Sequence, residues 1–187
     1  MAKKVLIFKG SPRKKGFTQQ LLDELIRGVT DAGGEPILYE LNSQEIIPCR
    51  GCTACYTRKG CSIKDYLSPM YEQMEEGASI VVASPLYYAT ITGITKVWLD
   101  RMHPILDGEH WGSRYPNLKY LTIFVSGNTE EDPMAEEGID FTERSMLPFS
   151  WNHIGQIWVK YTDRPDFTLS DEVKYKAYEY GKELARE

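Results

Sequence analysis

A doubly wound α/β fold is what this 187-residue sequence predicts: a five-stranded parallel sheet in the order 2-1-3-4-5, with helices on both faces. Three observations carry the prediction. The short apolar runs Val5–Phe8, Ser79–Ser84 and Tyr120–Val125 read as strands buried on both faces. Segments with helical apolar spacing alternate with them, and right-handed crossovers then leave few other topologies. Each of these strands also ends in a glycine-, serine- or proline-bearing loop, and open parallel sheets bind ligands outside their carboxyl ends.

The elements follow in order. Val5-Leu-Ile-Phe8 is bounded by lysines and closed by Gly10, and the polar stretch from Gly10 to Thr18 leads into a helix with Leu21, Leu22, Leu25, Ile26 and Val29 on one face. Gly33-Gly34 stops that helix, and Pro36–Leu41 alternates as a second strand. A cysteine-rich stretch follows, then a short helix expected over 66–74. The β-branched run Ser79–Ser84 suits a central strand. Pro85–Gly93 is a loop of aromatics and hydroxyls, and Ile94, Val97, Trp98 and Met102 mark the apolar side of the next helix, with Trp98 assigned to the core. Residues 103–118 carry Pro104, Gly108, Gly112 and Pro116 without periodicity, which predicts a lid or interface loop. His103, His110 and Trp111 fall in it. With no accompanying thiol or carboxylate pattern, the two histidines read as solvated loop residues. Tyr120–Val125 turns at Ser126-Gly127-Asn128. A helix is expected over 140–149, a last strand over 156–159, and a final helix capped by Asp171 that runs to Arg186.

The bulk numbers narrow the class. With 42% hydrophobic and 26% charged residues, the chain suits one domain over 1–187. A net charge of -5 argues against general nucleic-acid affinity, and the acidic density from Glu130 to Glu143 reads as a solvated face. The N-terminal apolar run is too short for a signal or membrane segment, so a cytoplasmic protein without a membrane partner is expected.

All four cysteines lie between Ile47 and Asp65, as Cys49, Cys52, Cys55 and Cys61 in the pattern C-x2-C-x2-C-x5-C. Zinc sites usually divide into two separated C-x2-C knuckles, whereas an overlapping run lets three thiolates converge with a fourth arriving after a turn. The spacing leans towards one [4Fe-4S] cluster, since no further cysteine exists to build a second. A zinc site, a redox-active thiol pair, structural thiols and disulfides are the competing readings.

The loops at the strand ends predict a second site. Ser11, Arg13 and Thr18, with the unpaired N–H groups of the first helix, form a candidate phosphate cradle, although an ordinary capped helix after a turn accounts for the same residues. Neither a Walker loop nor G-x-G-x-x-G is present. Pro85 to Ala89 offers a wall for a flat ring, and Ser126 to Asn128 a third side. The expected ligand is FMN, with a terminal phosphate and a planar ring.

Over Val5 to Arg101, the residues Gly10-Ser11-Pro12-Arg13, Ser84-Pro85-Leu86-Tyr87-Tyr88 and Leu99-Asp100-Arg101 resemble the NADPH-dependent FMN reductase superfamily, and the cysteine spacing resembles its iron-sulfur flavoproteins. The resemblance implies a flavodoxin-like fold, FMN as cofactor, and a homodimer or homotetramer with FMN near a subunit interface. It assigns FMN to Ser11, Arg13, Phe17, Thr18, Gln19, Ser84, Pro85, Leu86, Tyr87, Tyr88, Ser126 and Gly127, and the cluster to Cys49, Cys52, Cys55 and Cys61. Phe17 stands where relatives often have Asn or Ser, and Tyr66 where a second acid often follows Asp65. The expected function is an electron-transfer flavoprotein taking electrons from a ferredoxin-like donor and passing them to a small-molecule acceptor. A cluster-free reductase using NAD(P)H and a thiol or metal redox sensor are the alternatives. The flavin carries the chemistry, so no side-chain acid or base is required. The cysteine loop leaves strand two at the flavin's edge of the sheet, about 5 Å from the phosphate loop. That predicts a cluster facing the phosphate end of its own FMN, and transfer between neighbouring subunits.

Overall fold

The computed structural model describes residues 2–107, 112–127 and 131–186. Its central sheet is built from β1 (Lys4–Lys9), β2 (Glu35–Glu40), β3 (Ser79–Tyr87), β5 (Lys119–Val125) and β6 (Asn152–Val159), all parallel and in the order β2-β1-β3-β5-β6. The two-residue β4 (Thr90–Ile91) pairs antiparallel with the end of β3. Discounting that hairpin strand, the order is the predicted 2-1-3-4-5.

One face of the sheet is covered by α1 (Phe17–Asp31) and α6 (Asp171–Leu184), which enclose Val5, Ile7, Leu21, Leu25, Val81, Leu121 and Ile123. These two helices approach closely because Gly28 and Gly181 lack side chains: a Cβ at either would overlap the other helix's backbone, at Tyr178 and Leu25 respectively. The other face packs α3 (Met70–Glu75) and α4 (Gly93–Asp100) over Leu6, Phe8, Ile80 and Val82. Trp98 is fully buried there, its ring 4.7 Å from that of Phe8. Further along this face α5 (Pro133–Met146) lies over Phe124 and beside β4. A short α2 (Ala54–Thr57) lies in the cysteine loop. Among the described residues no helix is long and apolar enough to cross a membrane.

Several boundaries depart from the sequence reading. β3 runs past Ser84 to Tyr87 because β4 gives it a partner. The helix expected over 66–74 starts only at Met70, since Asp65 organises 65–68 as a turn, its carboxylate accepting from the Leu67 N–H and its N–H donating to Ser68 Oγ. α5 begins seven residues before the expected 140, where Asp132 caps the N–H groups of Met134 and Ala135 and Pro133 opens the helix. β6 starts at Asn152, not at 156, with a register shift opposite Tyr120 and Leu121. Ser170, not Asp171, caps α6 by accepting from the Val173 N–H. The loop over 103–118 opens with a 3-10 turn, His103–Ile105, and its two sides are tied by the Asp107 N–H donating to the Gly112 carbonyl and the Arg114 N–H to the Ile105 carbonyl. His110 and Trp111 lie outside the described residues, as does Asn128. Within the stretch read as a solvated acidic face, Glu143 turns inward and accepts from Thr122, Tyr120 and Gln156.

Candidate functional site

Two clefts hold most of the residues that the sequence singled out. The first opens at the carboxyl edge of the sheet, between β1 and β3. Its cavity is about 190 Å³ and is lined by Ser11, Arg13, Gly16, Phe17, Thr18, Pro85, Leu86, Tyr87, Val125, Gly127, Thr162 and Asp163. Ser11 and Thr18 are buried at 2% exposure each. Gly16 occupies the N-cap of α1 and supplies no capping side chain, so the helix's first-turn N–H groups lack a side-chain cap. An anion fits there, with Arg13 at the rim and an apolar wall of Leu86, Tyr87 and Val125 beside it. The same residues fit FMN: a cradle for phosphate, then a surface for a ring.

The cleft is held in shape by a buried hydroxyl cluster. Ser84 Oγ accepts from the Thr92 N–H at 3.1 Å and from Thr95 Oγ1 at 3.1 Å, while Thr92 Oγ1 donates to the Gly10 carbonyl at 2.8 Å. Thr92 also caps α4, accepting from the Thr95 N–H. These bonds lash the ends of β1 and β3 to α4. Gly10 is required at this crossing, because a Cβ would overlap Thr95 Oγ1.

Not every assigned residue lines the cleft. Ser84 is committed to the hydroxyl cluster and is fully buried. Ser126 accepts from Trp158 Nε1 at 3.1 Å, and its carbonyl takes the Thr162 N–H. Gln19 turns away and donates to Asp23. Tyr88 sits fully exposed at the tip of the β3–β4 hairpin, where Tyr88 (φ 50°) and Ala89 (φ 63°) are both left-handed. Phe17 lines the cleft, and its ring packs edge-on against Phe167 at 4.9 Å, anchoring the 161–169 segment to α1. That segment brings Thr162 and Asp163 into the cleft, a contribution the sequence reading missed. The Asp163 N–H donates to the Gly127 carbonyl, and its carboxylate occupies the space a Cβ at Gly127 would need. Two residues after a strand end in this fold, with a glycine facing them, was the only available signal.

The second cleft, of about 130 Å³, is lined by all four cysteines together with Ser62, Ile63, Asp100, Arg101, His103 and Pro104, among others. Its backbone turns sharply at Gly51 (φ 63°), Thr53 (φ 56°) and Gly60 (φ 80°). Cys52 Sγ and Ser62 Oγ are 3.1 Å apart, and the Ile63 N–H donates to Cys61 Sγ at 3.4 Å. The Ser62 hydroxyl holds the Cys52 thiol below the ordinary thiol range, whereas burial, with neighbouring Cys61, Cys52 and Cys49, pushes Cys55 up. Among the described residues, no three Cys, His, Asp or Glu side chains converge at metal-binding geometry. The donor set nevertheless fits a thiolate-ligated cluster, with four cysteines on one cavity, an N–H and a hydroxyl already directed at sulfur, and Arg101, whose Nε is buried without a partner among the described residues. His103 is exposed, in keeping with its reading as a solvated residue, and it also lines this cavity, its ring 6.2 Å from that of Tyr56.

Arg101 and Asp65 close the loop at its base. Asp65 Oδ2 accepts from the Ile47 N–H at 2.9 Å, and Arg101 Nη1 donates to the Ile47 carbonyl at 2.6 Å. Burial favours the neutral form of Asp65, but the Arg101 hydrogen bond and charge with the Ile47 N–H outweigh it, holding the carboxyl below its usual range. α4 starts against Gly10 at the phosphate loop and ends at Asp100 and Arg101 in the thiol cleft, so the clefts lie at opposite ends of an eight-residue helix, about 12 Å along its axis. No residue lines both. The loop does leave β2 at the carboxyl edge beside β1, as expected, but its thiols line a cleft at the far end of α4 from Gly10.

Residues 3–127 match the family model for NADPH-dependent FMN reductase. An iron-sulfur flavoprotein of Archaeoglobus fulgidus is 34% identical over 147 residues, covering 79% of this chain and 68% of the relative. A second from that organism is 32% identical over 109 residues, covering 56% of this chain and 50% of the relative. One from Methanocaldococcus jannaschii is 31% identical over 105 residues, covering 56% and 54%. The match thus spans about half the length of the latter two. Among solved structures, an NAD(P)H:quinone oxidoreductase from Methanothermobacter marburgensis superposes with a TM-score of 0.69 at 18% identity, covering 100% of this chain and 96% of that one. An azoreductase from Bacillus anthracis gives 0.67 at 15% identity, covering 98% of each. At such identities these two establish the shared fold alone.

Proposed function

The chain belongs to the NADPH-dependent FMN reductase family, and from that premise we propose that it is an FMN-dependent oxidoreductase whose four cysteines hold a [4Fe-4S] cluster, making it an electron-transfer flavoprotein. The observation that carries the reading is the division of labour between the two clefts, one a phosphate cradle with an aromatic wall, the other holding every thiol of the chain. When bound, FMN supplies one- and two-electron chemistry and the cluster single-electron chemistry. The chain's own residues bind and orient. The α1 N-terminus, Ser11 and Thr18 hold the phosphate, with Arg13 offsetting its charge. Leu86 and Tyr87 give the ring an apolar seat that limits water, and Asp163 offers an acceptor beside Gly127. Cys49, Cys52, Cys55 and Cys61 are the cluster ligands, with the Ile63 N–H and the Ser62 hydroxyl bonding to sulfur.

Electron transfer between cluster and flavin of neighbouring subunits, in a homodimer or homotetramer, is part of the proposal. A ferredoxin-like protein is the proposed donor and a small molecule the acceptor. Anaerobic absorbance with iron and sulfide quantified tests the assignment, and a chain that takes up FMN but neither iron nor sulfide would refute the cluster. The family description favours one second reading, direct reduction by NADPH without a cluster. Stopped-flow mixing separates the two: fast flavin bleaching by NADPH supports the second, and indifference to NADPH with fast reduction by ferredoxin supports the first.

A further inference from the structure

We propose that Arg101 is a positioning residue of the thiol centre, its Nε–H donating to a sulfur of the group that Cys49, Cys52, Cys55 and Cys61 hold. The inference rests on the cluster reading above and adds to it a residue outside the cysteine motif.

Arg101 is 1% exposed. Its Nη1 and Nη2 are committed to the two oxygens of Asp65 and to the Ile47 carbonyl. Its Nε is buried and, among the described residues, has no acceptor. Buried guanidinium N–H groups are seldom left so, because losing water without gaining a partner is costly. Arg101 lines the same cleft as the four cysteines, and a sulfur of the group they hold is the acceptor assigned to Nε here. Tyr71, whose hydroxyl donates to the Arg101 carbonyl at 2.7 Å, fixes the backbone from behind.

Because Asp65 already neutralises the guanidinium, what Arg101 offers the thiols is a directed N–H rather than net charge. Sulfur carries more negative charge in a reduced cluster than in an oxidised one, so an N–H donor stabilises the reduced state and raises the reduction potential. Arg101 neither gives up nor takes a proton in this role.

The test uses the full chain, reconstituted anaerobically with ferrous iron, sulfide and FMN. Arg101→Lys keeps a cation for Asp65 and removes the Nε–H. The double variant D65N/R101M replaces the ion pair altogether and serves if the lysine variant does not fold. Iron and sulfide content are measured, together with an EPR-monitored redox titration. The expected result is cluster content within twofold of the parent, a cluster potential shifted to more negative values in both variants, and an unshifted flavin potential. Variants that carry the cluster at the parent's potential overturn the proposal while leaving the cluster reading intact. A parent chain that holds no iron and sulfide overturns both.

Discussion

Arg101 and Asp65, 36 residues apart, meet through two hydrogen bonds of 2.6 and 3.1 Å with side chains 0% and 1% exposed, and together they clamp the backbone of Ile47. The ion pair thus joins both ends of the cysteine loop to the end of α4. Removing either partner leaves a buried, uncompensated charge. Asp65→Asn and Arg101→Met are each expected to cost about 3–5 kcal/mol, whereas D65N/R101M, with neither charge left, costs markedly less. Urea unfolding of the four corners of the cycle gives the coupling, and additive single losses would show that the pair does not act as a unit.

The same pair sets an acid limb of stability. Asp65 has a folded pKa below its ordinary value, so its contribution is complete above the unfolded value of about 3.9 and disappears as pH falls through the folded one. Melting temperature measured from about pH 7 to about pH 2.5 is expected to fall less steeply below about pH 4 in Asp65→Asn than in the parent.

Arg13 lies exposed at the rim of the proposed flavin cleft, where solvent would weaken its hold on a phosphate. Arg13→Ala is expected to weaken FMN binding roughly three- to tenfold at low salt, with the difference shrinking as salt rises. Riboflavin, which lacks the phosphate, is expected to bind both proteins alike. Flavin fluorescence titration reads both ligands, and an equal loss for riboflavin would place Arg13 elsewhere than at the phosphate.

The β3–β4 hairpin gives two substitutions of opposite sign. Ala89 is left-handed at φ 63°, and Ala89→Gly relieves that strain, stabilising the chain by about 0.5–1 kcal/mol. Gly138 of α5 faces the Ala89 carbonyl, which a Cβ would overlap, so Gly138→Ala is expected to destabilise by roughly 1–3 kcal/mol. Thermal unfolding of both variants checks the contact.

Thiol reactivity in iron-free protein follows the cleft's hydrogen bonds. Cys52 is exposed, with its thiol pKa lowered by Ser62, whereas burial raises that of Cys55. Iodoacetamide followed by peptide mapping is expected to label Cys52 before Cys55, and Ser62→Ala to slow Cys52 selectively. Equal rates for the two cysteines would show that Ser62 does not act on the Cys52 sulfur.

Much of the architecture was legible from local pattern. The apolar runs around Val5, Ser79 and Tyr120 had few plausible partner arrangements, and the helical face of Leu21 to Val29 had one sheet to cover. The departures have a common cause. Asp132 and Ser170 were available as helix caps in the sequence, but neighbouring acids competed for the role and only backbone geometry selects the capping oxygen. Ser84 and Ser126 carry the right chemistry at the right strand ends, yet hydrogen bonds to Thr92, Thr95 and Trp158 turn their hydroxyls inward.

The sequence by itself determined the strand order, the loops that meet at the carboxyl edge, and the gathering of every thiol into one segment, because these follow from periodicity and chain connectivity. Only the tertiary structure decided that Asp163 and Thr162 enter the flavin cleft, that His103 and Arg101 join the thiols, and that α4 separates the two sites. Those outcomes depend on contacts between residues far apart in the chain, such as Phe17 with Phe167 and Arg101 with Asp65, whose pairing no local pattern encodes.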